Sequence, residues 1–215
     1  MVTQLRIDQL EIAPGQRVVL RNVDWPQFEA ILTDLGEARR SRVAYYARTL
    51  ELRMPLPEHE RAIVIISDLL KILLDVLVGE WESLRSSTFR NVKMQAGVEP
   101  DDCFYIHNYA AIVGKKRLDL AVDPPPDLVL EVNMTSMTQV SAYEALGVPE
   151  IWRYQNQQLK VFVLRSQGYV ESANSPALGG FADIDQISNY VNMGNTIPIS
   201  QIRRDFRQWL AQPDR

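Results

Sequence analysis

The stretch Asp123-Pro124-Pro125-Pro126-Asp127-Leu128-Val129-Leu130-Glu131-Val132-Asn133 limits the fold more than any other part of the chain. Prolines lack the N–H that a sheet ladder needs, so a run of them cannot enter a sheet interior. They deliver the chain stiffly to an edge and stop there. The residues that follow have the length of a buried strand and are apolar except for Glu131. An ionised carboxylate inside a core needs a partner, and the most economical partner is a metal ion.

Spacing limits where that ion's other ligands can be. Side chains alternate along a strand, so Asp127, Val129, Glu131 and Asn133 share one face. Asp127 stands ~13 Å from Glu131 at ~3.3 Å per residue, whereas magnesium holds its oxygens at ~2.1 Å. Asp127 is therefore unsuited as a co-ligand and reads as a cap or hydrogen-bond acceptor where the strand begins. The partner must come from another strand. Asp101-Asp102-Cys103-Phe104-Tyr105-Ile106 is aromatic and β-favouring. Run antiparallel to 127–133, it sets Asp101 across from the neighbourhood of Glu131, within the ~5 Å of cross-strand neighbours. A register slip of one residue inverts the face and puts Asp102 there instead.

The remaining pattern alternates strands and helices. Gln4 to Ile7 and Arg17 to Leu20 read as a strand pair around Pro14-Gly15. Asp24 caps a helix that Gly36 stops, and residues 42–46 and 49–54 form a hairpin. The long apolar stripe from Ile63 to Leu77 is a helix packed on a sheet, opened by Glu58-His59-Glu60 and closed by Gly79. Trp81 to Phe89 reads as a strand and Gly97 to Pro100 as a turn. A helix over 136–146 precedes strands at 150–154 and 159–164, with another at Gly168 to Val170. Ile199 to Leu210, capped by Ser200, is a terminal helix.

The chain has 215 residues, 46% hydrophobic and 23% charged, enough for a real core. No run approaches the ~18–20 apolar residues of a membrane span. No signal-peptide core follows Met1 to Arg6, and Cys103 is the single cysteine. A reducing, cytoplasmic setting is expected. Two histidines and one cysteine argue against structural zinc, which leaves oxygen ligands and a hard cation. A net charge of -4 does not advertise nucleic acid. Arginine and lysine nevertheless cluster at Arg39, Arg40 and Arg42, at Lys115, Lys116 and Arg117, and at Arg203, Arg204 and Arg207. Each cluster reads as a solvated surface or as a local basic groove.

Pro100 to Ile106, Asp123 to Val132 and Tyr143-Glu144-Ala145-Leu146-Gly147-Val148-Pro149-Glu150-Ile151-Trp152-Arg153-Tyr154 resemble the Uma-type restriction-endonuclease-like family of bacteria, within the PD-(D/E)XK nuclease superfamily. Leu50-Glu51-Leu52 with Pro55-Leu56-Pro57-Glu58-His59-Glu60 matches its front half. The resemblance implies an α/β (α+β) fold: a mixed central sheet flanked by helices. It implies one nuclease-like domain over 1–215, with residues 1–23 a β extension and 165–215 a C-terminal extension. It implies Asp101 and Glu131 as ligands of Mg2+ or Mn2+, the Val132 carbonyl as a third, and DNA as substrate. A homodimer would suit cutting both strands. Lys115, Lys116, Arg117 and Arg153 become candidate nucleic-acid contacts.

The sequence departs from that family's pattern at its cation. The lysine position two residues after the glutamate is Asn133, and the helix position that carries lysine in many members is Gln139. Gln139-x-x-x-Tyr143 is similar to a glutamine–tyrosine helix motif of other superfamily nucleases. Arg153 or Lys160 could supply the charge from a neighbouring strand. His59 either faces the site or makes a structural hydrogen bond at its helix start. Glu58 either extends the acidic cluster or is an exposed helix-start acid, and Glu51 either joins that cluster or is a solvent-facing strand residue. Three functions remain open: a magnesium-dependent nuclease, an impaired relative that binds DNA or protein through the same fold, or a structural subunit whose long helix and terminal helix mediate self-association.

Overall fold

Two sheets and the helix between them set the position of every polar group discussed below. The computed structural model describes residues 7, 10–36 and 39–212. The first sheet has strand order β1-β3-β2-β6-β5, from β1 (Arg17–Arg21), β2 (Arg42–Tyr46), β3 (Thr49–Arg53), β5 (Phe89–Asn91) and β6 (Ala96–Val98), and is antiparallel throughout. The second has order β11-β10-β9-β8-β7-β4, from β4 (Glu82–Ser83), β7 (Asp102–Tyr105), β8 (Leu128–Val132), β9 (Glu150–Gln155), β10 (Gln158–Arg165) and β11 (Gly168–Ser172). This sheet is mixed, because β8 and β9 run parallel while its other pairs are antiparallel.

The helices cover the mixed sheet on both faces. Helix α2 (Pro57–Leu77), α4 (Ile184–Met193) and α5 (Ile199–Leu210) bury their apolar stripes against Leu128, Leu130, Val132 and Trp152. Helix α3 (Met137–Leu146) lies on the opposite face, against Val129 and Ile151, where Ala44, Ala96 and Val98 of the first sheet join it. Helix α1 (Trp25–Leu35) closes the far side of the first sheet with Phe28 and Leu32. The class is α+β, with helices flanking a mixed sheet as expected. A second, antiparallel sheet of five strands joins it.

Local chemistry explains most of the element boundaries. Asp24 Oδ1 accepts from Gln27 N at 2.9 Å while Gln27 Oε1 accepts from Asp24 N at 2.8 Å, a reciprocal cap that starts α1. Gly36 ends it at φ 69°. The predicted strand Trp81 to Phe89 is instead two short pieces, because Arg85 turns left-handed at φ 51°. Ser200 does not cap α5; Pro198 holds the cap position and Ser200 sits in the first turn. Helix α4 was not anticipated. Of the expected strand at Gln4 to Ile7, Gln4 to Arg6 lie outside the described residues and Ile7 is not in a strand, and β1 pairs with β3.

Gly97 is not a turn residue. It lies inside β6, where an added Cβ would come 2.7 Å from Phe28 Cζ. Gly97→Ala is expected to cost about 1–3 kcal/mol through overpacking, read as a lower midpoint in urea unfolding.

Candidate active site

The chain leaves the first sheet after Val98 and joins the second at Asp102, so Glu99 to Asp101 bridge the two. Strand β7 runs antiparallel to β8 with Asp102 opposite Leu130, and Asp101 N donates to the Leu130 carbonyl at 3.2 Å. Asp101 thereby falls beside Glu131. Asp102 points through the opposite face, where it accepts from Ser67 Oγ at 2.6 Å and Ser83 Oγ at 2.9 Å. The fallback ligand is therefore a structural acceptor against α2.

Glu131 is fully buried and its oxygens are divided between two directions. Oε1 accepts from Gln139 Nε2 at 3.2 Å and from the Tyr143 hydroxyl, both on α3. Oε2 accepts from Arg53 Nη2 at 2.9 Å. The same nitrogen lies 3.4 Å from Asp101 Oδ1, while Asp101 Oδ2 accepts from Val132 N at 2.8 Å. Two carboxylates from separate chain segments thus converge on a single guanidinium nitrogen. A cation already marks the place.

Arg53 was not anticipated as a site residue. The signal was present, since Leu50-Glu51-Leu52-Arg53 alternates and sends Leu50 and Leu52 to the α1 core. Glu51 and Arg53 must then face the other way. Glu51 is buried rather than solvent-facing: it accepts from Ser136 Oγ, the N-cap of α3, at 2.7 Å, and pairs with Arg17 at 3.6 Å. Arg53 also belongs to a ladder of alternating charge. Arg39 and Arg42 hold Glu99 at 2.7 and 3.1 Å, and Arg42 Nε lies 3.9 Å from Asp101.

Burial works against charge on both partners. On Glu131 it outweighs the Arg53 guanidinium, with Asp101 adding repulsion, and the carboxyl is pushed up to about 7. On Arg53 burial is opposed first by Glu131 and then by Asp101, and the guanidinium is held all the more firmly protonated. Burial, reinforced by Glu131, also raises the Tyr143 hydroxyl well above its ordinary range.

The other expected residues divide into those beside this pair and those away from it. Asn133 follows the last residue of β8 and is left-handed at φ 56°, so the strand face it was assigned to ends before it. Its Nδ2 lies 2.6 Å from His59 Nε2, an arrangement in which Nε2 is the acceptor. His59, Asn133, Gln139, Val132, Arg53, Glu51 and Arg17 line one cleft of ≈ 340 Å³. Glu58 stays at the exposed helix start and lines the neighbouring cleft.

Arg153 is the register partner of Glu131, yet its guanidinium stacks over the Phe162 ring at 4.3 Å. Lys160 pairs with Glu171 at 3.0 Å on the exposed sheet surface. Neither supplies the missing cation. Lys115, Lys116 and Arg117 are exposed in the connection that leaves the Tyr105 end of β7, the end away from Asp101, and Lys115 is held by Asp123. Asp127 accepts from the N–H groups of Ile106, His107 and Asn108 at 2.7, 3.0 and 3.1 Å, as expected of an acceptor at the strand's start.

The profile of the family Uma2, "Putative restriction endonuclease", matches residues 25–183. The chain belongs to this family. The Uma2 match contains the acid pair, Arg53 and α3, and ends before α4. The chain is also similar to the crystal structure of "a putative nuclease belonging to DUF820" from Anabaena variabilis, at 14% identity and a TM-score of 0.47, covering 69% of this chain and 90% of that one. A comparison with curated proteins finds no match. No helix among the described residues is long and apolar enough to cross a membrane.

A divalent metal can be weighed against these residues. No group of three or more histidine, cysteine, aspartate or glutamate side chains among the described residues could hold one. The donor set is still right for a hard cation that keeps several waters: two carboxylate oxygens turned to one point, at which Arg53 Nη2 stands in. The residues fit such an ion on condition that Arg53 moves.

Proposed function

We propose that the protein is a magnesium- or manganese-dependent endonuclease that hydrolyses DNA phosphodiester bonds in the cleft above Asp101 and Glu131. The observation that carries this reading is the convergence of those two carboxylates on one cationic nitrogen in a chain of the Uma2 family. Asp101, Glu131 and the Val132 carbonyl would hold the ion. When bound, it supplies Lewis acidity and a water of lowered pKa.

The chain's own residues orient those ligands. Gln139 and Tyr143 fix Oε1 of Glu131, and the Val132 N–H fixes Oδ2 of Asp101, so one oxygen of each carboxylate turns to the shared point. Arg17, whose side chain is 52% exposed, gives a phosphate in the cleft a partner. His59 and Asn133 line the same cleft and are the candidates to position a water or a leaving group. A homodimer would suit cleavage of both strands, and a cytoplasmic location agrees with one buried, unpaired cysteine.

Supercoiled plasmid incubated with Mg2+ should be nicked, and Glu131→Ala should lower the rate by about a hundredfold or more. Identical products from both proteins would defeat the assignment. The second reading is a relative that binds DNA without cutting it, favoured by Asn133 standing where the family resemblance expects lysine. It predicts a plasmid mobility shift with no nicks under either metal.

A further inference from the structure

We infer that Arg53 is the resident counter-ion of the acid pair and that its guanidinium competes with the divalent ion for the same two carboxylate oxygens. This rests on the metal-dependent reading above. All the carboxylate oxygens of Asp101 and Glu131 already accept a hydrogen bond or ion pair. Most of those donors cannot leave without unfolding something. Val132 donates from the backbone of β8, and Gln139 and Tyr143 are 1% and 0% exposed.

Arg53 differs from its partners. Its side chain keeps 17% of its exposure, against 3% for Asp101 and 0% for Glu131, so it lies between the pair and the cleft. The cleft of ≈ 340 Å³ that it lines gives it room to swing. Glu51, two residues back on the same face, offers a carboxylate on that path.

Charge points the same way. Arg39, Arg42 and Arg53 alternate with Glu99, Asp101 and Glu131, so the array is neutral as it stands. Adding a dication to a neutral, largely buried array is unfavourable, whereas exchanging a guanidinium for it is much less so. The site admits metal only in the fraction of molecules whose Arg53 is out, and apparent affinity falls by that fraction. A released Arg53 carries its charge into the cleft, where a phosphate would meet it. The protein thereby supplies, from β3, the cation that Asn133 and Gln139 do not.

The test is calorimetric titration with Mn2+ alone at pH 8, on the natural protein, Arg53→Met and Arg53→Lys, with melting temperatures recorded with and without Mn2+. Arg53→Met should bind at least about tenfold more tightly than the natural protein, and Mn2+ should raise its melting temperature more. Arg53→Lys should fall between, since an ammonium is more strongly hydrated than a guanidinium and is held less firmly at a buried pair. Adding Glu131→Gln to Arg53→Met should abolish the gain, which places the ion at the pair. If the natural protein and both variants bind equally, the competition is refuted and the metal reading survives. If none binds, both fall. Should Arg53→Met not fold, Arg53→Lys decides alone: affinity no higher than that of the natural protein overturns the inference.

Discussion

Arg53→Met, kept free of metal, is expected to melt on the order of 10 °C below the natural protein at pH 8, with roughly 3–6 °C of that gap closed at pH 5. Removing one partner of a buried ion pair costs about 3–5 kcal/mol, because the remaining charge is left without compensation, and a chain of this size loses roughly 2–4 °C per kcal/mol. The pH dependence follows from Glu131, whose carboxyl burial pushes up to about 7. Between its ordinary value and about 7, the folded state holds a proton that the unfolded state has released. Stability from this group is therefore complete in acid and is lost as pH rises through about 7. Taking Arg53 away removes the main influence holding that value down, so the loss in the variant is steeper and continues to higher pH. At pH 5 the carboxyl is neutral in both proteins, and the gap that remains is the loss of Arg53 beside Asp101 and of its packing. Thermal melts from pH 5 to 8 in a chelator check this. A gap that does not change with pH would show that Glu131 is not the group left exposed to the loss.

Much of this site was legible in the sequence because a strand's period of two is a hard constraint. The prolines fixed where β8 begins, the alternation fixed the face of Glu131, and distance alone removed Asp127 as a co-ligand. The antiparallel partner was also accessible, since β7 is aromatic and short, and Asp101 and Asp102 differ by which face they take. The cation was legible only as far as the face it takes. Arg53 acts only because a second sheet folds over the mixed one, and no local pattern in Thr49 to Arg53 says what covers its polar face. Without that cover Glu51 and Arg53 read as ordinary solvent-facing residues. Asn133 was misplaced for a different reason: its face was extrapolated one step past the end of β8, into a left-handed residue where alternation no longer applies. Family membership of the chain fixes neither point, because chemistry depends on the particular side chains at the site.

The other large effect is expected far from Arg53, at the opposite end of β8. Asp127→Ala should destabilise the protein by about 3 kcal/mol or more, because buried donors left without an acceptor cost about 1–3 kcal/mol each. Its Oδ2 alone accepts from three successive backbone N–H groups, Ile106 to Asn108, and Oδ1 accepts from Asn108 Nδ2 at 2.9 Å. These bonds turn the chain out of β7 and set the path of the long connection back to β8. Tyr105, whose hydroxyl donates to the Pro124 carbonyl at 3.2 Å, and Lys115, held by Asp123, close that connection at other points. Loss of the Asp127 carboxylate should therefore loosen the segment that carries Lys115, Lys116 and Arg117, and trypsin should cut there while the rest of the domain stays folded. Asp127→Asn keeps an acceptor oxygen and should lose about half as much stability. Equal cutting of the natural and Asp127→Ala proteins would mean that the carboxylate does not organise this connection. Intact nicking by Asp127→Asn, against its loss in Glu131→Ala, would separate the residue that shapes the strand's start from the one proposed to hold the ion.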